Sequence, residues 1–353
     1  MSHSEDYIQI IPSPYNSDWN MVRMYSPDRI SGICEVHLHG AHLTSYKCRA
    51  KPSFSSMASS EEQSIITRVS DQDELMFVSE KALFATDKAI RGGTPICFPQ
   101  FSDKGRLSMS HGFARNVPWE CVTTTGVSND SATVATLRMI KSSSYKGNNK
   151  EIAQYLAEYD ALNVEMIFSL SNDSLEMTLR VGEDSRVEDE KFEKVKSFTF
   201  AFHNYFRVDD ITQVTLDGIH NNHHGVQFID KVKKGELITV ENSSPFAITQ
   251  EVDRVYVDML DPIESVIVEN KPTNISRMIC VSQNAANAQN VVVWNIWSEK
   301  CQKMSDMKAD DFSRYVCVEV GQIQTPIVLE RGKVFTGSQK ISVKHVSPNS
   351  SKL

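Results

Sequence analysis

The sequence predicts an all-β protein, a sandwich or barrel built as one large domain. Three observations predict it. Short runs of apolar residues recur along the chain with a period of two, turn residues separate them, and no linker divides the 353 residues into compositionally distinct halves. Hydrophobic residues make up 40% and charged residues 23%, enough to bury a substantial core.

The clearest strand pair is Val164, Met166, Phe168 and Leu170, followed by Leu175, Met177, Leu179 and Val181. Alternation puts each set on one face of a half-buried strand, and Ser171-Asn172-Asp173-Ser174 between them reads as a hairpin turn. Similar runs occupy 33–39, 132–140, 197–206, 213–216, 265–268, 278–282, 291–297, 316–320 and 326–329. Strand and helix patterns do not alternate, so a parallel α/β sheet is disfavoured. One helix is expected over 151–162, where Ile152, Tyr155, Leu156 and Tyr159 have helical spacing. The Ser/Glu-rich stretch 53–64 and the charge run 187–196 read as solvated loops, and 346–353 as a tail. The boundaries that follow are a lead-in over 1–29, a β domain over 30–345 and a tail over 346–353.

Composition excludes several classes. Lys+Arg 37 against Asp+Glu 45 gives −8, which argues against a general nucleic-acid or anionic-membrane binder while allowing a local basic pocket. No apolar run approaches the ~20 residues that cross a bilayer. Met1-Ser2-His3-Ser4-Glu5-Asp6 lacks the pattern of a secretory signal, so a cytoplasmic protein is expected. Seven scattered cysteines without a CxxC pair fit reduced thiols rather than a disulfide framework or a tetrathiolate metal site.

Five segments are candidates for chemistry. Arg91-Gly92-Gly93-Thr94-Pro95-Ile96-Cys97-Phe98-Pro99-Gln100-Phe101, with His111-Gly112-Phe113-Ala114-Arg115-Asn116, is too rich in Gly and Pro for a strand interior and reads as a structured loop. Its arginines suit bidentate phosphate binding, although surface ion pairs are the commoner reading of such residues. His203 stands in the aromatic run 198–208, where a core histidine is the commoner reading and an acid–base catalyst the sharper one. Glu319 interrupts the β-branched run 316–320. On a solvent face it means little, whereas in a cleft, desolvation would raise its pKa and make it a better base. Asp253-Arg254 reads as an exposed pair, and Trp297 as core or as a sugar-stacking platform. His220, His223 and His224 have no zinc-site spacing, and no metal is expected.

Taken in order, these blocks resemble the glucose-6-phosphate 1-epimerases (D-hexose-6-phosphate mutarotases) of the aldose 1-epimerase superfamily. Residues 40–46, 88–101, 111–116, 198–208, 252–256, 293–295, 316–319, 326–329 and 337–339 carry the resemblance across roughly 30–342. The Arg-Gly-Gly-x-Pro and His-Gly-Phe-Ala-Arg blocks are its specific part. The resemblance implies a β-supersandwich with an open cleft and no cofactor. It implies His203 as catalytic acid and Glu319 as base, with His111, Asp253 and Gln100 on the sugar and Arg91 and Arg115 as candidates for the phosphate. A small-molecule hexose 6-phosphate is the implied partner, and a monomer or weak homo-oligomer is expected. The implied reaction is anomer interconversion: Glu319 takes the O1 proton, His203 as imidazolium protonates the ring oxygen, and the opened sugar recloses on its other face. The chain departs from the family pattern at 53–64, at 143–162, at Ser110 and at Ile296. Mutarotation of free aldoses, silent sugar binding and a purely structural role are the competing readings.

Overall fold

The computed structural model describes residues 7–49, 68–128, 131–219, 225–240, 245–259, 264–269, 276–283 and 288–346. They form three sheets of antiparallel strands. The sheet that carries the site runs, in spatial order, Glu236–Val240, Val226–Asp230, Val252–Val257, Asn290–Asn295, Tyr315–Val328, Ser197–Phe202 and Ile96–Cys97, and Tyr205–Arg207 also pairs with Tyr315–Val328. A second sheet runs Phe246–Ala247, Val214–Asp217, Glu264–Glu269, Ser276–Gln283, Val334–Val346, Ser174–Glu183, Leu162–Leu170, Ala132–Met139 and Trp119–Ser128. The third is a meander of Ile8–Pro12, Asn20–Tyr25, Gly32–His37 and His42–Cys48. Residues 8–25, set apart as a lead-in by the sequence reading, thus share a sheet with the first strands of the main domain. Among the described residues no helix is long and apolar enough to cross a membrane.

The two larger sheets pack on a shared core. Phe198 and Phe200 of one meet Phe335 of the other at ring distances of 5.5 Å. Gly337 makes room for this contact, because a Cβ there would lie 2.3 Å from the Phe200 ring. The alternation in Leu162–Leu170 and Ser174–Glu183 sends Val164, Met166, Phe168, Leu175, Met177 and Leu179 into that core.

Three local expectations change. The run 187–196 contains a helix, Asp189–Val195, because Phe192 and Val195 supply an apolar pair that docks while the charges stay outside. The run 291–297 stops being strand at Asn295, and Trp297, with φ +58°, starts the helix Trp297–Cys301 and packs on Phe312. The runs 316–320 and 326–329 are one strand, Tyr315–Val328. The expected helix near 151–162 is Lys150–Tyr159, capped by the Asn149 side chain and buried through Ile152, Tyr155, Leu156 and Tyr159. The stretch 53–64, the tail beyond 346, and His220, His223 and His224 lie outside the described residues.

Candidate active site

The aromatic run 197–206 is not one continuous strand. Ser197–Phe202 ends, Tyr205–Arg207 begins, and His203 and Asn204 fall in the break. The polar side chain of Asn204 explains where that break is anchored. Its amide nitrogen donates to Val318 O at 2.9 Å, its oxygen accepts from Thr94 Oγ1 at 3.0 Å, and it exchanges hydrogen bonds with the Gln339 amide of the facing sheet. Held on both sides, Asn204 fixes its neighbour His203 at the wall of a cavity of about 310 Å³.

Both flanking strand pieces pair with Tyr315–Val328. Phe202 lies opposite Val320, and Tyr205 opposite Cys317, so His203 comes to Glu319. Nδ1 of His203 is 3.3 Å from Glu319 Oε1. The approach has ion-pair length without hydrogen-bond geometry, and His203 Nδ1 and Glu319 Oε2 are both buried with no hydrogen-bond partner among the described residues. His203 stacks on Tyr205 with ring centres 4.8 Å apart and meets the edge of Trp294.

The structured loop supplies the rest of the wall. Gly93 (φ +63°) lets the chain pass 2.2 Å, measured from an added Cβ, from Leu43 O, and Gly112 (φ +70°) passes as closely by Phe98 O. These crossings bring Arg91, His111 and Arg115 to the cavity. His111 Nδ1 accepts from the Ser102 amide at 3.2 Å and contacts the Cys97 thiol at 3.1 Å, which leaves the proton on Nε2 as a free donor. Arg91 is tethered: Nε donates to Asp306 at 3.0 Å and Nη1 to the Tyr205 hydroxyl at 3.1 Å. Arg115 donates from Nη2 to Ser110 O at 3.0 Å, and its Nε is buried without a hydrogen-bond partner among the described residues. No ion pair of Arg115 is present among the described residues, so an unneutralised guanidinium borders the cavity.

Six of the seven expected residues therefore converge: Arg91, His111, Arg115, His203, Asp253 and Glu319. Gln100 does not. Its side-chain oxygen accepts from Leu107 N and its nitrogen donates to the carbonyls of Ser102, Leu107 and Met109, so it braces the loop rather than facing a ligand. Lys231, Tyr205 and Trp294 line the cavity without having been singled out. Lys231 sits 3.6 Å from Asp253 and over the Phe101 ring. It follows the strand Val226–Asp230 in a turn that also holds Lys233 and Lys234, and nothing in its sequence context separates it from them.

Burial sets the protonation of the pair. It pushes Glu319 well above the usual carboxylate range, opposed by Lys231 and Arg115 and reinforced by Asp253. It pushes His203 well below its ordinary value, and the nearby His111, Arg115, Arg91 and Lys231 push the same way. The raised glutamate has the direction expected from the sequence, whereas the lowered imidazole runs against the expected imidazolium. Both shifts favour the neutral forms, a proton on the carboxyl group and none on the imidazole. An acid and a base within one proton jump, beside an unpaired cation, can move protons on a small polar anion.

Residues 32–342 match the aldose 1-epimerase family. A protein of Cenchrus ciliaris named "Putative glucose-6-phosphate 1-epimerase" is 28% identical over 311 residues, covering 87% of this chain and 80% of its own. An Escherichia coli protein of the same name is 28% identical over 285 residues, covering 80% and 77%. Among solved structures, a "putative mutarotase" of Salmonella typhimurium superposes with a TM-score of 0.70 at 25% identity, covering 96% of this chain and 97% of its own. A galactose mutarotase-like protein of Lactobacillus casei shares the fold, with a TM-score of 0.55 at 13% identity over 95% of this chain and 99% of its own. The chain belongs to the aldose 1-epimerase family.

Proposed function

We propose that the protein interconverts the α and β anomers of an aldohexose 6-phosphate, with glucose 6-phosphate the first substrate to test. The observation that carries this reading is the His203–Glu319 approach in a cavity bordered by the unpaired Arg115. The chain is acidic overall, so a cationic pocket is a local investment in an anionic ligand. A phosphate monoester carries about −1.5 to −2 charges at pH 7 and offers acceptors to a guanidinium. The cavity is near the lower end of the roughly 300–1,000 Å³ of ligand sites, a fit to one sugar ring rather than an oligosaccharide.

Mutarotation needs a proton removed from the anomeric O1 hydroxyl and another delivered to the ring oxygen. These oxygens share C1, so a side-by-side acid and base serve both. His203 is the acid and Glu319 the base once a proton from the carboxyl group crosses 3.3 Å to the imidazole. A phosphate dianion at Arg115 and Arg91 favours that transfer, since it cancels two of the cations that repel an imidazolium. Ring opening gives the aldehyde, rotation about C1–C2 turns its face, and closure returns both protons. Positioned groups of this kind each contribute about 10²–10⁴-fold. His111 Nε2–H and Asp253 hold sugar oxygens, and the remote phosphate grip orients C1 against the pair.

Magnetisation-exchange NMR between the two anomers of glucose 6-phosphate tests this directly. The wild-type protein accelerates exchange, and Glu319→Gln loses about 10²-fold or more of that acceleration. Undiminished exchange in the variant overturns the assignment of the base. Faster exchange with free glucose than with its 6-phosphate overturns the substrate class.

A further inference from the structure

Cys317 precedes Glu319 by two residues on Tyr315–Val328, so their side chains share one face of the strand. The break that brings His203 to Glu319 therefore brings it to Cys317 as well. The imidazole, thiol and carboxyl group each offer a ligand atom, none more than 4.8 Å from another, and all three residues are buried. The anomer exchange described above uses His203 and Glu319 and gives Cys317 no task. Nδ1 of His203 and Oε2 of Glu319 have no hydrogen-bond partner among the described residues, so the lone pairs of this cluster are not already spent.

A nitrogen, a thiolate sulfur and a carboxylate oxygen form a donor set suited to zinc-class cations. Magnesium and calcium take oxygen ligands and have no use for the sulfur. We propose that His203, Cys317 and Glu319 bind a thiophilic divalent cation, with zinc as the probe, and that the bound cation closes the sugar site.

The surrounding cations look like an obstacle, because Arg91, Arg115 and Lys231 all border the same cavity. Charge balance removes most of it. Zinc takes a carboxylate, a thiolate and a neutral imidazole as ligands, so one dication with two anionic ligands adds no net charge beside those cations. Any proton on the carboxyl group or thiol leaves to solvent as the Zn–O and Zn–S bonds form, and nothing is oxidised or reduced. Zinc–ligand bonds of about 2.0–2.3 Å place tetrahedral ligands roughly 3.3–3.8 Å apart, so side-chain movement of about 1 Å closes the set. His203 and Glu319 line the cavity and give the cation its way in, with Cys317 behind them. A cation held there occupies the two groups that exchange protons with the sugar.

Two measurements on the full-length protein test the site. In the first, zinc inhibits anomer exchange reversibly, and a chelator restores it. Cys317→Ala retains exchange within a few-fold of wild type and needs at least about tenfold more zinc for the same inhibition. In the second, cadmium titration followed in the ultraviolet gives one more equivalent of thiolate-to-cadmium absorbance in wild type than in Cys317→Ala. The absorbance involves no sugar, so it decides the metal site even if the protein does not act on hexose phosphates. Equal zinc sensitivity of wild type and variant, or identical cadmium spectra, overturns the proposal. Should Cys317→Ala fail to fold, Glu319→Gln takes its place in the cadmium titration. At least tenfold weaker binding supports the site, and undiminished binding overturns it.

Discussion

At the scale of single residues, the unequal tethering of the two arginines makes a sharp prediction. Arg91 already has a carboxylate and a phenol, whereas among the described residues Arg115 has one backbone carbonyl and a buried Nε with no hydrogen-bond partner. A phosphate gains more from the second. Hydrogen bonds to charged groups contribute about 1.5–3 kcal/mol each. Arg115→Ala therefore raises the KM for glucose 6-phosphate by roughly 10–100-fold and leaves any activity on free glucose little changed. Anomer-exchange rates on both sugars check this, and equal losses on the two would remove Arg115 from the phosphate. Residue identities are legible where chemistry is unusual for its surroundings. A glutamate among β-branched residues and a histidine among aromatics stand out, but core packing or a solvent face remains the commoner local reading, and the order of the family blocks is what points to Glu319 and His203. Lys231 does not, because a lysine in a turn with Lys233 and Lys234 has no local oddity, and only the sheet brings it to Asp253. Gln100 misleads for the converse reason: its place inside a distinctive block says nothing of which way its amide turns.

At the scale of elements, the segment around 143–162 has a task that its sequence does not announce. Tyr155 and Tyr159 of the helix Lys150–Tyr159 pack on Phe113 at ring distances of 5.8 and 5.4 Å, and the Ser108 amide donates to the Tyr155 hydroxyl at 3.3 Å. Phe113 stands between His111 and Arg115, so the helix backs the loop that carries both. Removing a buried aromatic ring costs about 3–5 kcal/mol, and here the loss falls on the binding loop. Tyr159→Phe, which keeps the ring, is expected to behave as wild type. Tyr159→Ala is expected to lower the melting temperature and to raise KM at least severalfold, with a smaller change in kcat. A Tyr159→Ala protein with lowered stability but unaltered KM would show that the helix supports the fold alone. The helical spacing of four apolar residues makes this helix legible in the sequence, and alternation does the same for the hairpin 164–181. Periodicity misses Asp189–Val195, where two docking residues in a run of charges leave too little apolar pattern. It also runs two strands together at His203–Asn204, because the hydrogen bonds that end the first strand come from Thr94, Val318 and Gln339, all remote in sequence.

At the scale of the whole molecule, buried imidazoles tie stability to pH. His37, His39 and His42 cluster at the four-stranded meander, where His37 sits between Ser13 and Thr44, His39 bonds Lys88 O, and His42 bonds Gly92 O beneath the arginine loop. Burial pushes His37 and His39 down to about 4 and His42 to about 3. In the unfolded chain a histidine takes its proton near 6.5. As pH falls from about 6.5 toward 4, the unfolded state binds protons that the folded state refuses, and stability is lost. Each such imidazole contributes a slope of up to about 1.4 kcal/mol per pH unit in that window. Above it, all are neutral in both states and the effect vanishes. The raised carboxyls of Glu74, Asp253 and Glu319 act with opposite sign, since the folded state takes those protons first, and they offset part of the slope. The three histidines, joined by His111 and His203 at the cavity, outnumber them. Urea unfolding between pH 7.5 and 4.5 is therefore expected to show a midpoint that is flat above about pH 7 and declines below pH 6.5. His39→Gln, which keeps a donor toward Lys88 O without a group that titrates, shows a shallower decline. A midpoint that does not change with pH, or a variant with the wild-type slope, would mean that water reaches these rings and lets them charge in place. The same acid loss would then no longer threaten the arginine loop, which His42 anchors through Gly92 and on which Arg91 stands.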